Sequence, residues 1–285
     1  MGLLDLVRRR PALPPPGAHL RPDDPFGLAQ AVWGLGFSSP GNPAFAVGLV
    51  DGCDLRPTSL VLDLTAGLGG RARTLATVFG CYVTGLERDL ARAKRGMRLS
   101  EEAGLVREAP VQPYSPAGLE LRPASFDVIV EDNLLAELVE KEQLLRKLGQ
   151  GLRRGGWLVL AEPVGADGEI ELWSEAQYAD CLRGLGFAPE KPRDLSAEYR
   201  RIIETAWRGF LDRTDIRFLA AAHRDEVMRQ LQFWTERASR LEAGGLRFVR
   251  IAARAAPKRG RLDSRRGASY VPPLSRDRKT PGPRS

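Results

Sequence analysis

One stretch, from Leu60 to Glu87, constrains the fold of this chain more than any other. It contains an apolar run that ends in Asp63, a loop of small residues, a helical stretch and a second apolar run before the final glutamate. A strand, a glycine-rich turn, a helix and a second strand within this length are typical of one βαβ unit. Gly67 and Gly69 permit a tight turn and a close approach of a ligand to the backbone. Because Glu87 follows the second strand, where a carboxylate can accept hydrogen bonds from ribose hydroxyls, the stretch predicts a site for a nucleoside-containing cofactor.

The remaining chain continues the alternation of strands and helices. Further strands are predicted at Val106–Val111, Phe126–Asp132, Trp157–Val164, within FAPEKPRDL and at Gly244–Ala255. Helices are predicted at Pro25–Trp33, Pro43–Asp51, Asp89–Ala103, Ala136–Leu152, Glu175–Leu185, Ser196–Leu211 and Asp225–Leu241. This alternation predicts an α/β fold with a mainly parallel sheet and helices on both faces.

The chain divides into five predicted segments. They are a Pro-rich N-terminal arm (1–25), N-terminal helices with a lid loop (26–57), a cofactor-binding core (58–164), substrate-side helices and closing strands of the same domain (165–256) and a basic tail (257–285). The tail is rich in Pro, Gly, Ser and Arg and is expected to be disordered.

The net charge of +7 is concentrated in the tail. From residue 257 onward the chain has nine basic and two acidic residues, so the tail carries the whole excess and residues 1–256 have no net charge. A basic tail of this kind is a candidate for contact with RNA or an anionic membrane surface. The neutral body offers no obvious track for phosphates.

Apolar runs and cysteines indicate the compartment. No apolar run approaches the roughly 18 residues that a membrane-spanning helix needs. The N-terminal sequence MGLLDLVRRR places its charges after the apolar residues, so a signal peptide is not expected. Cys53, Cys81 and Cys181 lack CxxC spacing, which favours free thiols in a reducing cytoplasm over disulfides or a metal site. The sequence therefore predicts a cytoplasmic protein without a bound metal.

The glycine loop alone does not identify the cofactor, because Gly67-x-Gly69-x-x-Ala72 also satisfies the dinucleotide fingerprint. Three features argue against NAD. Asp63 ends the first strand, where a carboxylate suits a cationic ligand better than a pyrophosphate. About sixty residues precede that strand, and the chain ends in a helix pair and a late strand rather than in a second mononucleotide half.

Several segments together resemble the class I S-adenosylmethionine-dependent methyltransferases, over about residues 30–255. They are VLDLTAGLGG, the strand tip at Glu87, FDVIVED, KLGQGLRRGGWLVLAEP and LGFAPEKPRDL. The resemblance implies a Rossmann-like, seven-stranded sheet with an antiparallel last strand, and S-adenosylmethionine as the cofactor. It implies that Asp63 and the loop Gly67–Gly70, including Gly69 and Gly70 themselves, hold the methionine end of the cofactor. It further implies that Glu87 holds the ribose and that Arg88 lies beside the adenine.

A closer resemblance is to phosphoethanolamine N-methyltransferases and related enzymes that methylate small amines. Their segment before the first strand is similar to WGLGFSSPGN, Trp33–Asn42, and closes over the cofactor. By this match Phe37 and Ser38 are expected to line the cofactor site. Packing of Trp33 and Phe37 in the core is an equal alternative.

The chain departs from this family at four positions. Thr65 stands at the first glycine of the usual loop, and Ser115 stands at the adenine-facing acid after the third strand. The catalytic Tyr–His pair of the family falls on Pro163 and about Glu137, neither of which can do the same chemistry. The shared architecture therefore does not imply methylation of phosphobases.

Methyl transfer from a sulfonium is an in-line displacement, so positioning of the nucleophile can supply much of the acceleration. A base is needed only if the acceptor arrives protonated. Histidine occurs only at positions 19 and 223, so a histidine base is not expected. Glu131 and Asp132 end the fourth strand, at the edge where open α/β sheets bind ligands. We expect one of them to order the loop or to hold the methionine ammonium, and no catalytic residue is assigned.

Three functions are compatible with these patterns. The first is a methyltransferase for a small amine or hydroxyl acceptor that binds between Trp33–Asn42 and residues 165–240. Three aromatic residues either line the acceptor pocket or pack in the core: Tyr114, Tyr199 and Trp207. The second is an RNA methyltransferase, because TAGLGGRA and GLERD are also similar to rRNA guanine-N2 methyltransferases, although FDVIVEDNLL lacks their Asn/Asp-Pro-Pro-aromatic turn. The third is a non-catalytic protein that binds the cofactor. The sequence favours the first and identifies neither the acceptor nor the oligomeric state.

Overall fold

The computed structural model describes residues 25–165, 172–214, 217 and 221–255. Its helices are α1 (Gly27–Trp33), α2 (Pro43–Leu49), α3 (Gly70–Phe79), α4 (Leu90–Glu102), α5 (Lys141–Gly151), α6 (Glu175–Gly184), α7 (Ser196–Arg213) and α8 (Ala221–Glu242), with a short 3₁₀ helix at Leu135–Glu137. Its strands are β1 (Leu60–Asp63), β2 (Tyr82–Glu87), β3 (Val111–Pro113), β4 (Phe126–Asp132), β5 (Leu152–Gly165), β6 (Phe187–Pro189), β7 (Arg193–Asp194) and β8 (Leu246–Ala255). Most of the predicted Pro-rich arm and the whole basic tail lie outside the described residues.

The strands form one eight-stranded sheet in the order β3-β2-β1-β4-β5-β8-β6, and β7 also pairs with β8. The pairs from β3 to β5 are parallel, whereas β8 runs antiparallel to β5, β6 and β7. The predicted α/β fold, with its mainly parallel sheet and antiparallel last strand, is confirmed. The strand predicted within FAPEKPRDL is divided into β6 and β7, which raises the count from seven to eight. Because β2 and β4 lie on opposite sides of β1, the order of the sheet reverses at β1, where open sheets bind ligands.

The two faces of the sheet are buried by different helices, because alternate residues of a strand point to opposite faces. On one face α3 packs against valines of four strands, namely Val61, Val83, Val128, Val130 and Val159. On the other face α5 and α6 pack against Leu62, Ile129, Leu158, Leu160, Val249 and Ile251. The parallel strands therefore lie between two apolar layers, which accounts for their nearly continuous hydrophobic sequences.

A third, aromatic cluster joins α1, α2, α7 and α8 to β8. Tyr199 stacks on Phe248 with ring centroids 4.0 Å apart, and Trp33 packs edge-on against Trp207 at 6.2 Å. Trp33 and Trp207 therefore belong to this core, the alternative that sequence reasoning left open for both. The cluster packs the N-terminal helices α1 and α2 and the C-terminal helices α7 and α8 against one end of the sheet.

Some predicted boundaries are wrong. The helix predicted over Ala136–Leu152 is split into the 3₁₀ helix and α5, and β3 lies at the end of the predicted segment Val106–Val111. Gly155 and Gly156, which lie between the predicted helix Ala136–Leu152 and the predicted strand Trp157–Val164, are part of β5. The register of β5 against β4 shifts there, and Gly155 has φ of 70°, a conformation that glycine adopts at little cost.

Two expectations about the chain as a whole concern membranes and cysteines. Among the described residues, no helix is both long enough and apolar enough to cross a membrane. Cys53, Cys81 and Cys181 are free thiols, and the first two are buried. Within the same described residues, no cluster of three or more His, Cys, Asp or Glu side chains is arranged to hold a metal ion.

Candidate active site

A cavity of about 270 Å³ lies at the carboxyl ends of β1, β2 and β4. We call it the central cavity. Its walls come from the loops after these strands, from the segment Trp33–Asn42 and from helices α7 and α8. The polar and aromatic residues that line it are Ser38, Ser39, Thr65, Glu87, Arg88, Arg92, Asp132, Asn133, Glu137, Tyr199, Phe233, Trp234 and Arg237, with Leu64, Gly67 and Leu134 between them. It occupies the switch point of the sheet.

The glycine loop makes close contacts that a side chain would prevent. The Gly70 N–H donates to the Gly36 carbonyl at 2.8 Å, and a Cβ on Gly70 would lie 2.5 Å from that oxygen. A Cβ on Gly67 would lie 2.5 Å from Ser38 Oγ. Gly69 caps α3 in the left-handed conformation, with φ of 79°. The segment Trp33–Asn42 therefore lies directly against the glycine loop, the position predicted for a lid.

Glu87 ties the glycine loop to the end of β2. Its Oε2 accepts from the Gly67 N–H at 3.0 Å, and its Oε1 accepts from the Asp89 N–H at 2.9 Å and from Arg92 Nη1 at 3.4 Å. The residue is buried but lines the central cavity. Because an ionised carboxylate has about four acceptor sites, Glu87 retains capacity for hydroxyl donors of a ligand.

Asp63 does not line the central cavity, because both of its carboxylate oxygens bind Arg71. Arg71 Nε donates to Asp63 Oδ2 at 3.0 Å and Nη2 donates to Oδ1 at 2.5 Å, a bidentate pair. Arg71 Nη1 also pairs with Asp132 Oδ2, and Nη2 donates to the Thr65 hydroxyl at 2.8 Å. Asp63 thus holds Arg71, a residue that sequence reasoning missed, and direct contact of Asp63 with the cofactor stays a prediction.

These three charged groups, Asp63, Arg71 and Asp132, form one unit, here called the Arg71 cluster. Burial raises the pKa of Asp63, and the Arg71 guanidinium opposes that rise. Burial alone would lower the pKa of Arg71, but the two carboxylates raise it above its ordinary value. With one cation and two anions the cluster carries a net charge of −1, and its most exposed member, Asp132, faces the central cavity.

Glu131 lies beneath the central cavity rather than in its wall. It is fully buried beside Glu162, and its Oε2 accepts from the Leu134 N–H at 3.3 Å. Glu162 accepts from the N–H groups of Leu135 and Ala136 at 2.9 Å each. Burial and the neighbouring Glu162 raise the pKa of Glu131, and burial raises the pKa of Glu162 to about 7. The pair therefore orders the turn that leads into the 3₁₀ helix, which is one of the two roles expected for Glu131 or Asp132, and contact of Glu131 with the cofactor stays a prediction.

The other predicted residues divide into three groups. The central cavity brings together Ser38, Thr65, Gly67, Glu87 and Arg88. Phe37 and Gly70 line a small adjoining cavity of about 30 Å³, beside Arg71. Ser115 lies outside both, with Tyr114 in a groove of about 800 Å³ on a face of β1 and β2. The structure thus does not bring Ser115 into the central cavity.

Helices α7 and α8 supply one wall, on the side where the sequence predicted the acceptor. Of the two residues offered there either for the pocket or for the core, Tyr199 lines the central cavity and Trp207 does not. Phe233, Trp234 and Arg237 complete this wall. Arg237 Nη2 donates to Asn133 Oδ1 at 2.7 Å, a contact between residues 104 positions apart. No local pattern in α8 indicates this contact, because it arises only when the aromatic cluster packs α8 over the end of β4.

Comparison with known proteins identifies the core. A family model described as a methyltransferase domain matches residues 62–160. The sarcosine/dimethylglycine N-methyltransferase of Halorhodospira halochloris is 30% identical over 148 residues, which cover 50% of this chain and 53% of that protein. Phosphoethanolamine N-methyltransferase 3 of Arabidopsis thaliana is 23% identical over 61% of this chain and 38% of its own length. The chain thus spans about half or less of the length of these relatives.

A solved structure shows the same fold. Phosphoethanolamine N-methyltransferase 2 of Haemonchus contortus, in complex with phosphomonomethylethanolamine and S-adenosylhomocysteine, superimposes with a TM-score of 0.72 at 16% identity. The superposition covers 90% of this chain and 61% of the other. Residues 62–160 thus match a methyltransferase domain, and the chain as a whole has the α/β, Rossmann-like fold of this solved methyltransferase.

Proposed function

We propose that the protein transfers a methyl group from S-adenosylmethionine to the amine of a small molecule. The observation that carries the proposal is the central cavity, in which Glu87 and the lid both close on the Gly67 loop of a methyltransferase domain. The names of the relatives, which are N-methyltransferases of small amines, support an amine acceptor over a hydroxyl acceptor.

The residues of the central cavity fit this cofactor. Glu87 has unused acceptor sites for ribose hydroxyls, and the net charge of −1 on the Arg71 cluster suits a cationic ligand. Arg88 is held beside the same wall by Glu137, and a place next to the adenine is part of the proposal. When bound, the cofactor supplies a methyl group on a sulfonium, which is an electrophile for a neutral amine.

Protein groups then act by positioning. The carboxylates that line the central cavity are each ion-paired with an arginine: Glu87 with Arg92, Asp132 with Arg71 and Glu137 with Arg88. No histidine of the described residues lines it. An amine that enters in its neutral form needs no base before the displacement, and its proton can pass to water afterwards. We therefore assign acceleration to orientation and to exclusion of water.

Thr65 stands at the first glycine position of the family loop, and its side chain forms hydrogen bonds with neighbouring residues there. Its hydroxyl accepts from the Asp132 N–H at 2.9 Å and from Arg71 Nη2 at 2.8 Å. The substitution therefore joins the end of β1 to the end of β4. This contact weakens the reason for treating the protein as a non-catalytic binder.

Two finer expectations remain proposals. The three free cysteines support a reducing cytoplasm as the compartment. Residues 257–285, on which contact with RNA or an anionic surface depends, lie outside the described residues, and the relatives favour a small molecule over RNA.

Calorimetry with S-adenosylmethionine tests the cofactor. Glu87→Gln replaces one of two hydrogen-bonding carboxylate oxygens and removes the charge, which is worth about 1.5–3 kcal/mol, so the Kd is expected to rise about 10–100-fold. Glu142→Gln, at an exposed ion pair on α5, is the matched control and should bind as the wild type does.

Transfer of labelled methyl groups to a panel of small amines then tests the reaction. The wild type should methylate at least one amine with stoichiometric release of S-adenosylhomocysteine. The proposal is contradicted if the wild-type protein does not bind S-adenosylmethionine, or if Glu87→Gln binds S-adenosylmethionine as tightly as the wild type does.

A further inference from the structure

The sheet face that α5 and α6 cover remains open over β2. Helices α3, α4 and α5 lie in the crossovers from β1 to β2, from β2 to β3 and from β4 to β5. The structure describes every residue of the crossover from β3 to β4, 114–125, and that crossover contains no helix. Parallel sheets are normally covered on both faces, because crossover helices lie on them. The missing helix leaves the groove of about 800 Å³ that Tyr114 and Ser115 line, here called the β1–β2 groove.

The floor of the β1–β2 groove is mostly apolar. It is formed by Leu60 at the start of β1 and by Thr84 and Leu86 of β2, each of which is only half-buried. Tyr82 lies on the same face of β2, because alternate residues of a strand share a face, and it is 44% exposed. The strand β2 therefore presents apolar surface to solvent where a helix would usually cover it.

The crossover 114–125 lies against α5 instead of over β2. Lys147 Nζ of α5 donates to the Ala117 carbonyl at 2.9 Å, and the Ser125 N–H donates to the Gly151 carbonyl at 2.8 Å. Leu119 is buried in the apolar cluster beneath α5 and α6. These contacts hold the crossover on the β4 side of the groove. The exposed apolar surface on the β2 side is thus a candidate docking surface.

The chain beyond β8 contains a segment of matching chemistry. Residues 256–285 have four large apolar side chains, of which three lie within Tyr270–Leu274, YVPPL, and the fourth is Leu262. Two consecutive prolines favour the extended polyproline II conformation, which loses little conformational entropy on binding. Such segments dock in grooves with aromatic walls, and Tyr114 and Phe126 line this groove.

The end of β8 brings this segment within reach of the groove. Arg254 Nε donates to the Gly155 carbonyl at 3.1 Å, and Arg153, two residues before Gly155, lines the β1–β2 groove. From β8 the groove is three to four strands away in the sheet, which is about 14–19 Å at the usual strand spacing. The 14 residues 256–269, taken as a flexible linker, have a root-mean-square span of about 20 Å. The effective concentration of the segment at the groove is therefore in the millimolar range.

We propose that Tyr270–Leu274 docks in the β1–β2 groove of the same molecule and covers the apolar face of β2. The proposal is independent of methyl transfer, because the groove lies outside the central cavity. The apolar residues Leu3–Val7 of the N-terminal arm are the less favoured occupant. They precede α1, whose last residue, Trp33, packs against Trp234 in the wall of the central cavity, at the opposite end of the strands from Arg153.

Photocrosslinking in the full chain tests the docking directly. The substitution Tyr270→p-benzoylphenylalanine keeps an aromatic side chain at the centre of the test. After illumination of dilute protein, peptide mapping of the monomer should place the crosslinks on β1, β2 or the crossover 114–125. The same substitution at Leu262, outside the docking segment, is the matched control and should label these elements at least about 5-fold less.

Hydrogen exchange measures the occupancy of the groove. At millimolar effective concentration, a segment with an intrinsic Kd of about 0.2 mM should slow exchange of the amides in 114–125 about 5-fold. The full-chain triple variant Tyr270→Ser, Val271→Ser, Leu274→Ser should abolish this protection without any change in charge. Thr84→Lys, which places a long charged side chain on the groove floor, should abolish it as well.

Two control variants should keep the protection. Leu262→Ser changes the remaining large apolar residue of the tail, and Thr77→Lys changes a half-buried threonine on α3, which packs on the opposite face of the sheet. The midpoint of urea unfolding of Thr84→Lys and Thr77→Lys checks that both variants remain folded.

The other occupants give distinct results. Crosslinks found only between two molecules would identify a second copy as the occupant, and protection lost in Leu3→Ser, Leu4→Ser, Leu6→Ser would identify the N-terminal arm. Protection lost at about 0.5 M NaCl would assign the contact to the charges of the tail, because exposed charges are then largely screened. Each of these results overturns the proposal, as does exchange of residues 114–125 that is unchanged by the triple substitution.

Discussion

Removing the guanidinium of Arg71 is the sharpest test of how the site is built. In the variant Arg71→Met, Asp63 would remain fully buried without its bidentate partner, and Asp132 would lose its ion pair. Breaking a buried pair by removing one partner costs about 3–5 kcal/mol, because the remaining charge is uncompensated. We therefore expect the free energy of unfolding at pH 7 to fall by about 3–5 kcal/mol.

The loss should depend on pH in a defined direction. Burial already raises the pKa of Asp63 above its ordinary value of 3.8, and Arg71 opposes that rise. Without Arg71 the folded-state pKa rises further above the unfolded value. A carboxyl with a raised folded pKa stabilises the protein below the unfolded pKa and loses this contribution as the pH rises. The stability deficit of Arg71→Met should consequently be smaller at pH 5 than at pH 7.

A double-mutant cycle in urea unfolding measures the coupling. Asp63→Asn leaves Arg71 paired with Asp132 and should cost less, about 1–3 kcal/mol. The double variant should be more stable than the sum of the single losses predicts, by at least about 1 kcal/mol, since the neutral amide no longer needs the guanidinium. Arg146→Met, at an exposed i,i+4 pair with Glu142, is the matched control and should cost no more than about 0.5 kcal/mol beyond the change in helix propensity. Additive losses, or a deficit that does not change with pH, would refute the account.

Two further predictions concern the loop and the carboxylate pair. Gly70→Ala places a Cβ 2.5 Å from the Gly36 carbonyl oxygen and should raise the Kd for S-adenosylhomocysteine at least 10-fold. Gly184→Ala, which has open space around its Cβ, is the control and should leave this Kd unchanged. Equal affinities of the two variants would contradict the packing of the segment Trp33–Asn42 against the glycine loop. Burial raises the pKa of Glu162 in the folded protein to about 7, compared with an ordinary value of 4.5. The neutral form of Glu162 therefore stabilises the folded protein fully below pH 4.5, and this stabilisation is lost as the pH rises through 7. Urea unfolding from pH 5 to 8 should show wild-type stability decreasing and a flatter profile for Glu162→Gln. A flat wild-type profile would contradict the raised pKa of Glu162.

Local sequence patterns predicted the strand–turn–helix units and the loop because their causes are local. Gly67 must allow close approach, Asp89 caps α4 by accepting from the Arg92 N–H at 2.6 Å, and the strands β1 and β4 have buried residues on both faces and so carry apolar residues at successive positions. The same local reasoning misplaced Gly155, because a glycine after basic residues is equally typical of a helix end and of an irregular strand.

Side-chain partners were less predictable because they depend on long-range packing. Asp63 was expected to face a cationic ligand, and a cation does bind it, but that cation is Arg71 of the same chain. Arg71 lies in the first turn of α3, where the helix dipole disfavours a positive charge, and that unfavourable placement was the one local signal of a nearby acid. Glu131 and Arg237 carried no comparable signal, because burial of the former and isolation of the latter depend on elements far away in the chain.

The charges of the central cavity come from two kinds of structural element. At the β2 end, Glu87 and Arg92 compensate each other, and the Arg71 cluster is fixed by β1, α3 and β4, which are parts of the central sheet and its first crossover helix. Arg237, by contrast, comes from α8, an element that packs against the sheet through the aromatic cluster. A residue on such an element can change without disturbing the strands or the glycine loop, because its contact to Asn133 is the one hydrogen bond it makes among the described residues. Under the proposed function, the sheet and its loops therefore bind the cofactor, and α7 and α8 supply the wall on the acceptor side of the central cavity.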